Sequence, residues 1–238
     1  MNDSLGDRMK NQYEDRARFL LPRRTFTILR LDGKAFHTLT RGCVKPFDGT
    51  VKDAMTAAAL AVTAEAQGAK LAYIQSDEIS IVLTDYDSIE TQAWFDGNVQ
   101  KITSVAAGVA SVAFSRKYGE DGIFDARTFT IPDPVEVVNY FIWRQKDAVR
   151  NSVQACAQAH FSPKQLNSKK IPEMLAMLDE VGKWQDRPAH YRHGWCITRQ
   201  PREDAPVERW SWAPDYDIPL FTNERSYITA RLPKLEAA

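Results

Sequence analysis

Apolar and polar positions alternate with period two along "TFTILRLDG" (25–33), which predicts a strand that runs into a tight turn at Gly33. "GTVKDAMTAAALAVTAEAQG" (49–68) changes to helical spacing, is rich in Ala and closes on Gly68. Two short β-type runs, "AKLAYIQ" (69–75) and "EISIVLTDY" (78–86), meet at Ser76-Asp77 and predict a hairpin. A long helix is expected over 88–119, broken near Asp96-Gly97, followed by a fourth strand in "GIFDARTFTIP" (122–132). The order β-α-β-β-α-β is the split-βαβ or ferredoxin-like arrangement, so the fold expected is α+β.

Pro132 and Pro134 punctuate the end of that unit. "VEVVNYFIWRQKDAVRNSVQACAQAHF" predicts a second long helix, "IPEMLAMLDEVGKW" a shorter amphipathic one, and the tail loops with short strands at "HGWCITR" and "VERWSW". The expected division is a palm-like catalytic domain over 1–133 and a C-terminal helical and short-strand extension over 134–238 packed on it. At the other end, the first fifteen or so residues suggest a helix with a partial apolar face of Tyr13, Ala17, Phe19 and Leu20.

Composition changes this picture only by exclusion. At 238 residues, 44% hydrophobic and 26% charged, the chain reads as an ordinary globular protein. The charged N-terminal segment does not resemble a signal peptide and no apolar run is long enough to span a membrane, so a cytoplasmic location is expected. Three widely spaced cysteines argue against a disulfide framework or a structural zinc site. The zero net charge argues against generic nucleic-acid coating but leaves room for a local basic groove.

Candidate chemistry sits at the strand ends. In this topology strands 1 and 3 are central, so the end of strand 1 (Asp32) lies beside the turn between strands 2 and 3 (Asp77), with Glu78 as a third carboxylate. An Asp-Gly at a strand end is, on its own, an ordinary turn. Together the three form a cluster of hard oxygen ligands suited to two Mg²⁺ ions with bound phosphates, the carboxylate plan of polymerase and nucleotide-cyclase palms. After Asp32, "DGKAFH" offers Gly33 for close backbone approach, Lys34 to neutralise phosphate, Phe36 to stack on a base and His37 to donate a hydrogen bond.

"RLDGKAFH", "KPFD" and "QSDEISIV", followed in order by "FDARTFTIP", "VVNYFIWRQKDAVRNSVQ", "SPKQL" and "YRHGW", resemble the tRNA-histidine guanylyltransferase family from about residue 10 to 198. The resemblance implies a palm that runs in reverse, adding nucleotides to the 5′ end of tRNA after activation of that end with ATP or GTP. It implies Asp32 and Asp77 as ligands of both Mg²⁺ ions with the Gly33 carbonyl, and Glu78 in support. It implies nucleotide contacts from Asp32, Gly33, Lys34, Ala35, Phe36, His37, Ser76 and Asp77, with Lys45 and Lys101 on the triphosphate and Arg30 and Arg127 at the edge. Arg144 and Asn151 are candidate RNA contacts, and a homotetramer is expected, with the apolar helix at 134–161 suited to an interface.

One motif departs. Where eukaryotic members carry His-Ile-Asn-Asn, this chain has Val149, Arg150, Asn151 and Ser152, so the His is absent. That resembles the guanylyltransferase-like branch, so template-directed repair of 5′-truncated tRNA is the first expectation and addition of G to histidine tRNA the second. A non-catalytic RNA-binding palm and a small-nucleotide cyclase are the readings from other classes.

Overall fold

A computed structural model describes residues 4–88, 90–201 and 210–233. In chain order the elements are α1 (Leu5–Met9), β1 (Phe26–Gly33), α2 (Phe36–Leu39), α3 (Gly49–Glu65), β2 (Ala69–Gln75), β3 (Glu78–Leu83), α4 (Val99–Tyr118) and β4 (Phe124–Ile131). They continue with α5 (Pro134–His160), α6 (Pro163–Leu166), α7 (Ile171–Glu180), α8 (Ala189–His193), β5 (Trp195–Pro201), β6 (Trp210–Asp215) and α9 (Ser226–Thr229).

The strands form one antiparallel sheet in the order β4-β1-β3-β2-β5-β6. The expected β-α-β-β-α-β core is present, with β1 and β3 at its centre. Alternation along each strand sends side chains to two different cores. Leu29, Leu31, Ile79 and Ile81 pack against the Ala-rich face of α3 and against α4. Phe26, Ile28, Tyr73 and Val82 pack against Val137, Val138 and Phe141 of α5 and the C-terminal Ile218 and Phe221. Each such fully buried side chain contributes roughly 1.5–3 kcal/mol relative to exposure. The chain beyond residue 133 therefore completes the layer on the second face and adds β5 and β6 to the sheet edge.

Two expectations need correction. The helix before β4 starts at Val99 rather than near residue 88, because Asn98 caps it by accepting a hydrogen bond from the Lys101 amide at 3.1 Å. Phe95 and Asp96, both at positive φ, form a separate tight turn just before that cap. The partial apolar face of the N-terminal segment does not reach the core: Tyr13, Phe19 and Leu20 are exposed. In the expected strand "VERWSW", residues 207–209 lie outside the described residues, while Trp210 begins β6. No helix among the described residues is long and apolar enough to cross a membrane.

Candidate active site

The site is built where three strand ends and a turn converge. Asp32, the penultimate residue of β1, stands opposite Glu78 of β3 and Asp125 of β4. The Gly33 amide donates to the Asp77 carbonyl at 3.0 Å, which stitches the end of β1 to the β2–β3 turn. A Cβ on Gly33 would lie 2.5 Å from the Phe36 ring, so only glycine lets the chain fold back over that side chain. The turn itself is strained: Ser76 adopts a φ of 50°, a left-handed conformation that L-residues other than Asn or Asp seldom hold without a functional reason.

Asp77 is half-buried, and its carboxyl is held above the usual range, first by burial and then by the neighbouring charge of Asp32. The Asp32 carboxylate is 45% exposed and lies 3.9 Å from the Arg127 guanidinium, which also pairs with Asp125 at 3.0 Å. Two carboxylates that repel each other beside an open cleft fit a divalent ion. Mg²⁺ is commonly held by one or two carboxylates together with substrate phosphates and water. Asp32, Asp77 and the Gly33 carbonyl are the hard oxygens that could hold such an ion.

Glu78 departs from the expected three-carboxylate cluster. Its two oxygens accept from Arg144 Nε and Nη2, each at 2.7 Å, and Ser80 Oγ donates to one of them. Arg144 also reaches Asp147 at 3.1 Å, and Arg150 pairs with the same Asp147. No group of three or more His, Cys, Asp or Glu side chains placed to hold a metal occurs among the described residues. Arg144, buried in this pair and stacked over Trp143, is consequently a clamp within the protein rather than an exposed RNA contact.

Beside the carboxylates opens a cleft of about 330 Å³ between the 40–48 loop, the start of α3, the β2–β3 turn, the middle of α5 and α8. His37, Lys45, Ser76, Asp77 and Asn151 all line it. Lys45 Nζ donates to the Thr40 carbonyl at 3.1 Å. Lys34 and Ala35 are exposed just after β1, and Ala35, at a φ of 57°, begins the single turn of α2.

Two residues were expected to do something the geometry does not allow. Phe36 is 3% exposed, with its ring 4.9 Å from Phe114 and 5.0 Å from Phe124, so it is core rather than a free stacking platform. Lys101 sits in the first turn of α4, whereas the last turns of that helix, at Ser115, pack near the start of β4. About 21 Å of helix separates Lys101 from that end, which puts it on the far side of the molecule.

The wall opposite the carboxylates comes from residues that the strand-end motifs do not point to. Phe47 stacks on Tyr191 at 4.8 Å, and His190, Trp195 and Gln75 also line the cleft. Trp195 Nε1 donates to Thr56 at 3.1 Å. His190 is pushed below the ordinary imidazole value, by burial first and then by the charges of Lys52 and His193, so it faces the cleft as a neutral ring at pH 7. The motif "YRHGW" was the available signal; only the β2–β5 pairing shows that it meets the β2–β3 turn.

Comparison with known proteins adds the following. A family model described as tRNAHis guanylyltransferase matches residues 6–132. A bacterial tRNA(His) guanylyltransferase-like protein solved in complex with ATP is 40% identical, superposes with a TM-score of 0.86, and covers 95% of this chain and 98% of that one. A structure of such a bacterial protein in complex with GTP matches at 40% identity, with a TM-score of 0.84 and coverage of 96% and 98%. A probable tRNA(His) guanylyltransferase of Bos taurus is 27% identical over 202 residues, 75% of this chain. The match spans 66% of the length of that curated relative.

Proposed function

The chain belongs to the tRNAHis guanylyltransferase family, and from that premise we propose that it is a Mg²⁺-dependent nucleotidyltransferase that adds nucleotides to the 5′ end of tRNA. The observation that carries the reading is that Asp77 lines a nucleotide-sized cleft and that the end of β1, which bears Asp32, is hydrogen-bonded to the Asp77 turn. ATP and GTP, bound by the bacterial neighbours, are the substrates this cleft is proposed to take.

Two Mg²⁺ ions held by Asp32, Asp77 and the Gly33 carbonyl would supply charge stabilisation at the reacting phosphoryl group. The chain's own residues do the positioning. Lys45, Ser76 and the turn that begins at Ala35 surround the phosphates, and Arg127 holds Asp32 in line through its pair with Asp125. In the proposed sequence the 5′-phosphate of the RNA attacks the α-phosphorus of ATP or GTP and displaces pyrophosphate. The 3′-hydroxyl of the incoming nucleotide then attacks the activated 5′-phosphorus and displaces the nucleoside monophosphate.

Two substrate readings divide here. The names of the curated relatives support addition of G to histidine tRNA, the reading placed second from the sequence. Repair of 5′-truncated tRNA is favoured by one observation: Val149, Arg150, Asn151 and Ser152 stand in place of the His-Ile-Asn signature, with Asn151 and Ser152 in the cleft wall. Full-length histidine tRNA and a tRNA lacking its first nucleotide, each offered with Mg²⁺, ATP and all four nucleoside triphosphates, separate the two. Addition of G to the intact tRNA alone supports the first; extension of the truncated one by the base complementary to its partner supports the second. No extension of either overturns the nucleotidyltransferase reading.

The proposal includes a homotetramer. Trp143 and Val135 of α5, both exposed on the subunit, are the apolar positions available for such an interface.

A further inference from the structure

One carboxylate in the middle of α5 serves three partners at once. Arg144, Asp147 and Asn151 stand at i, i+3 and i+7 and so share one face of that helix. Asp147 Oδ2 accepts from Arg144 Nη2 at 3.1 Å and from Asn151 Nδ2 at 3.4 Å, while Oδ1 takes the exposed Arg150. Arg144 in turn clasps both oxygens of Glu78, next to Asp77, and Asn151 lines the cleft. Asp147 is not itself part of the cleft wall, and only 18% of its side chain is exposed.

An ionised carboxylate only accepts hydrogen bonds, so its contact with Asn151 decides which end of that amide faces where. Nδ2 is turned to Asp147, and Oδ1, which has no hydrogen-bond partner among the described residues, is the atom that Asn151 offers to the cleft. Without Asp147 the amide is free to turn and present a donor instead. The same carboxylate gives the Arg144 guanidinium a second anchor, on its own helix, besides Glu78. One side chain thereby ties the cleft wall to the strand that follows Asp77. Resting on the nucleotidyltransferase reading above, we propose that Asp147 is a positioning residue for the transfer reaction: it fixes Asn151 as an acceptor facing the substrate and keeps Arg144 on Glu78 beside the β2–β3 turn.

Steady-state kinetics of 5′ nucleotide addition, with whichever tRNA substrate wild type extends, tests this on Asp147→Ala, Asp147→Asn, Asn151→Leu and the double variant Asp147→Ala/Asn151→Leu, each with its melting temperature. Asp147→Ala is expected to lower kcat/KM for the RNA roughly tenfold. Asp147→Asn keeps an oxygen that accepts from Arg144 and Asn151, and is expected to stay within about threefold of wild type. The double variant should lose less than the product of the two single losses, because Asp147 acts in part through Asn151. A merely structural aspartate would lower the melting temperature in Asp147→Ala and leave kcat/KM of the folded enzyme in place. That result overturns the proposal, as does an Asp147→Asn as slow as Asp147→Ala, or single losses that multiply in the double variant. Should Asp147→Ala not fold, Asn151→Leu still decides: wild-type kcat/KM in that variant overturns the proposal. All of these leave the functional reading intact; a wild type that extends neither tRNA removes that reading, and this inference with it.

Discussion

Asp77 is caught between two demands. It is half-buried beside Asp32, and the folded protein without metal prefers it protonated more than an exposed aspartate would be. Replacing it with Asn should therefore leave the melting temperature of metal-free protein unchanged or raise it. The same change should lower nucleotidyl transfer by roughly a hundredfold or more, because an oxygen ligand of the ions is lost. Differential scanning calorimetry with and without Mg²⁺ checks both halves: Mg²⁺ should raise the wild-type melting temperature and leave that of Asp77→Asn in place. At Gly33, substitution by Ala forces a Cβ into the Phe36 ring and should cost about 1–3 kcal/mol in urea unfolding. Asp32 and Asp77 were legible as neighbours because the β-α-β-β-α-β order sets the end of strand 1 beside the β2–β3 turn, although each alone is an ordinary turn residue. The burial of Phe36 was not, since a Phe after a strand looks alike whether it meets a base or, as here, Phe114 and Phe124. The orientation of Glu78 was equally hidden, because its partner Arg144 lies 66 positions further along the chain.

Between elements, α5 is tied to the central strands by the Arg144–Glu78 pair, both side chains less than a tenth exposed. Arg144→Met leaves a buried carboxylate uncompensated and is expected to cost about 3–5 kcal/mol, while adding Glu78→Gln should restore part of it. Urea unfolding of the two single variants and the double variant measures this coupling. At α8, His193 Nε2–H donates a hydrogen bond to the Ile218 carbonyl at 2.9 Å, fastening the helix to the C-terminal segment. Burial, and secondarily the charge of Arg192, depresses this histidine, with Asp217 opposing. The unfolded chain therefore binds the proton more readily than the folded one, and this part of the stability is present above the ordinary histidine value and lost as pH falls below about 6.5. A series of melting temperatures from pH 7.5 to 5 should slope less steeply in His193→Gln than in wild type. Helix α5 was legible because its apolar periodicity runs without interruption and Asp133-Pro134 marks its start. The start of α4 was not, because "SIETQAWFDG" carries apolar residues at helix-compatible positions and only the Asn98 cap and the turn at Phe95 and Asp96 show where the helix begins.

Over the whole molecule, the four-strand core could be ordered from sequence because β-α-β-β-α-β allows few arrangements once crossovers are short. β5 and β6 escaped that logic: β5 pairs with β2 across more than a hundred residues, and no local pattern encodes such a pairing. That pairing brings the α8–β5 segment, with Tyr191 and Trp195, against the β2–β3 turn and turns a row of strand ends into a cleft. In the proposed function, that cleft is where a nucleotide meets an RNA 5′ end under the control of Asp32 and Asp77. The measurement that reaches this most directly is incorporation of label from [α-³²P]GTP at the 5′ terminus of tRNA in the presence of Mg²⁺ and ATP. Wild type, Asp32→Asn and Asp77→Asn are compared over the same time course. Label at the 5′ end with wild type, and its loss in both variants while they remain folded, is the predicted result. Undiminished labelling in either variant, or label that enters only at the 3′ end, would contradict it.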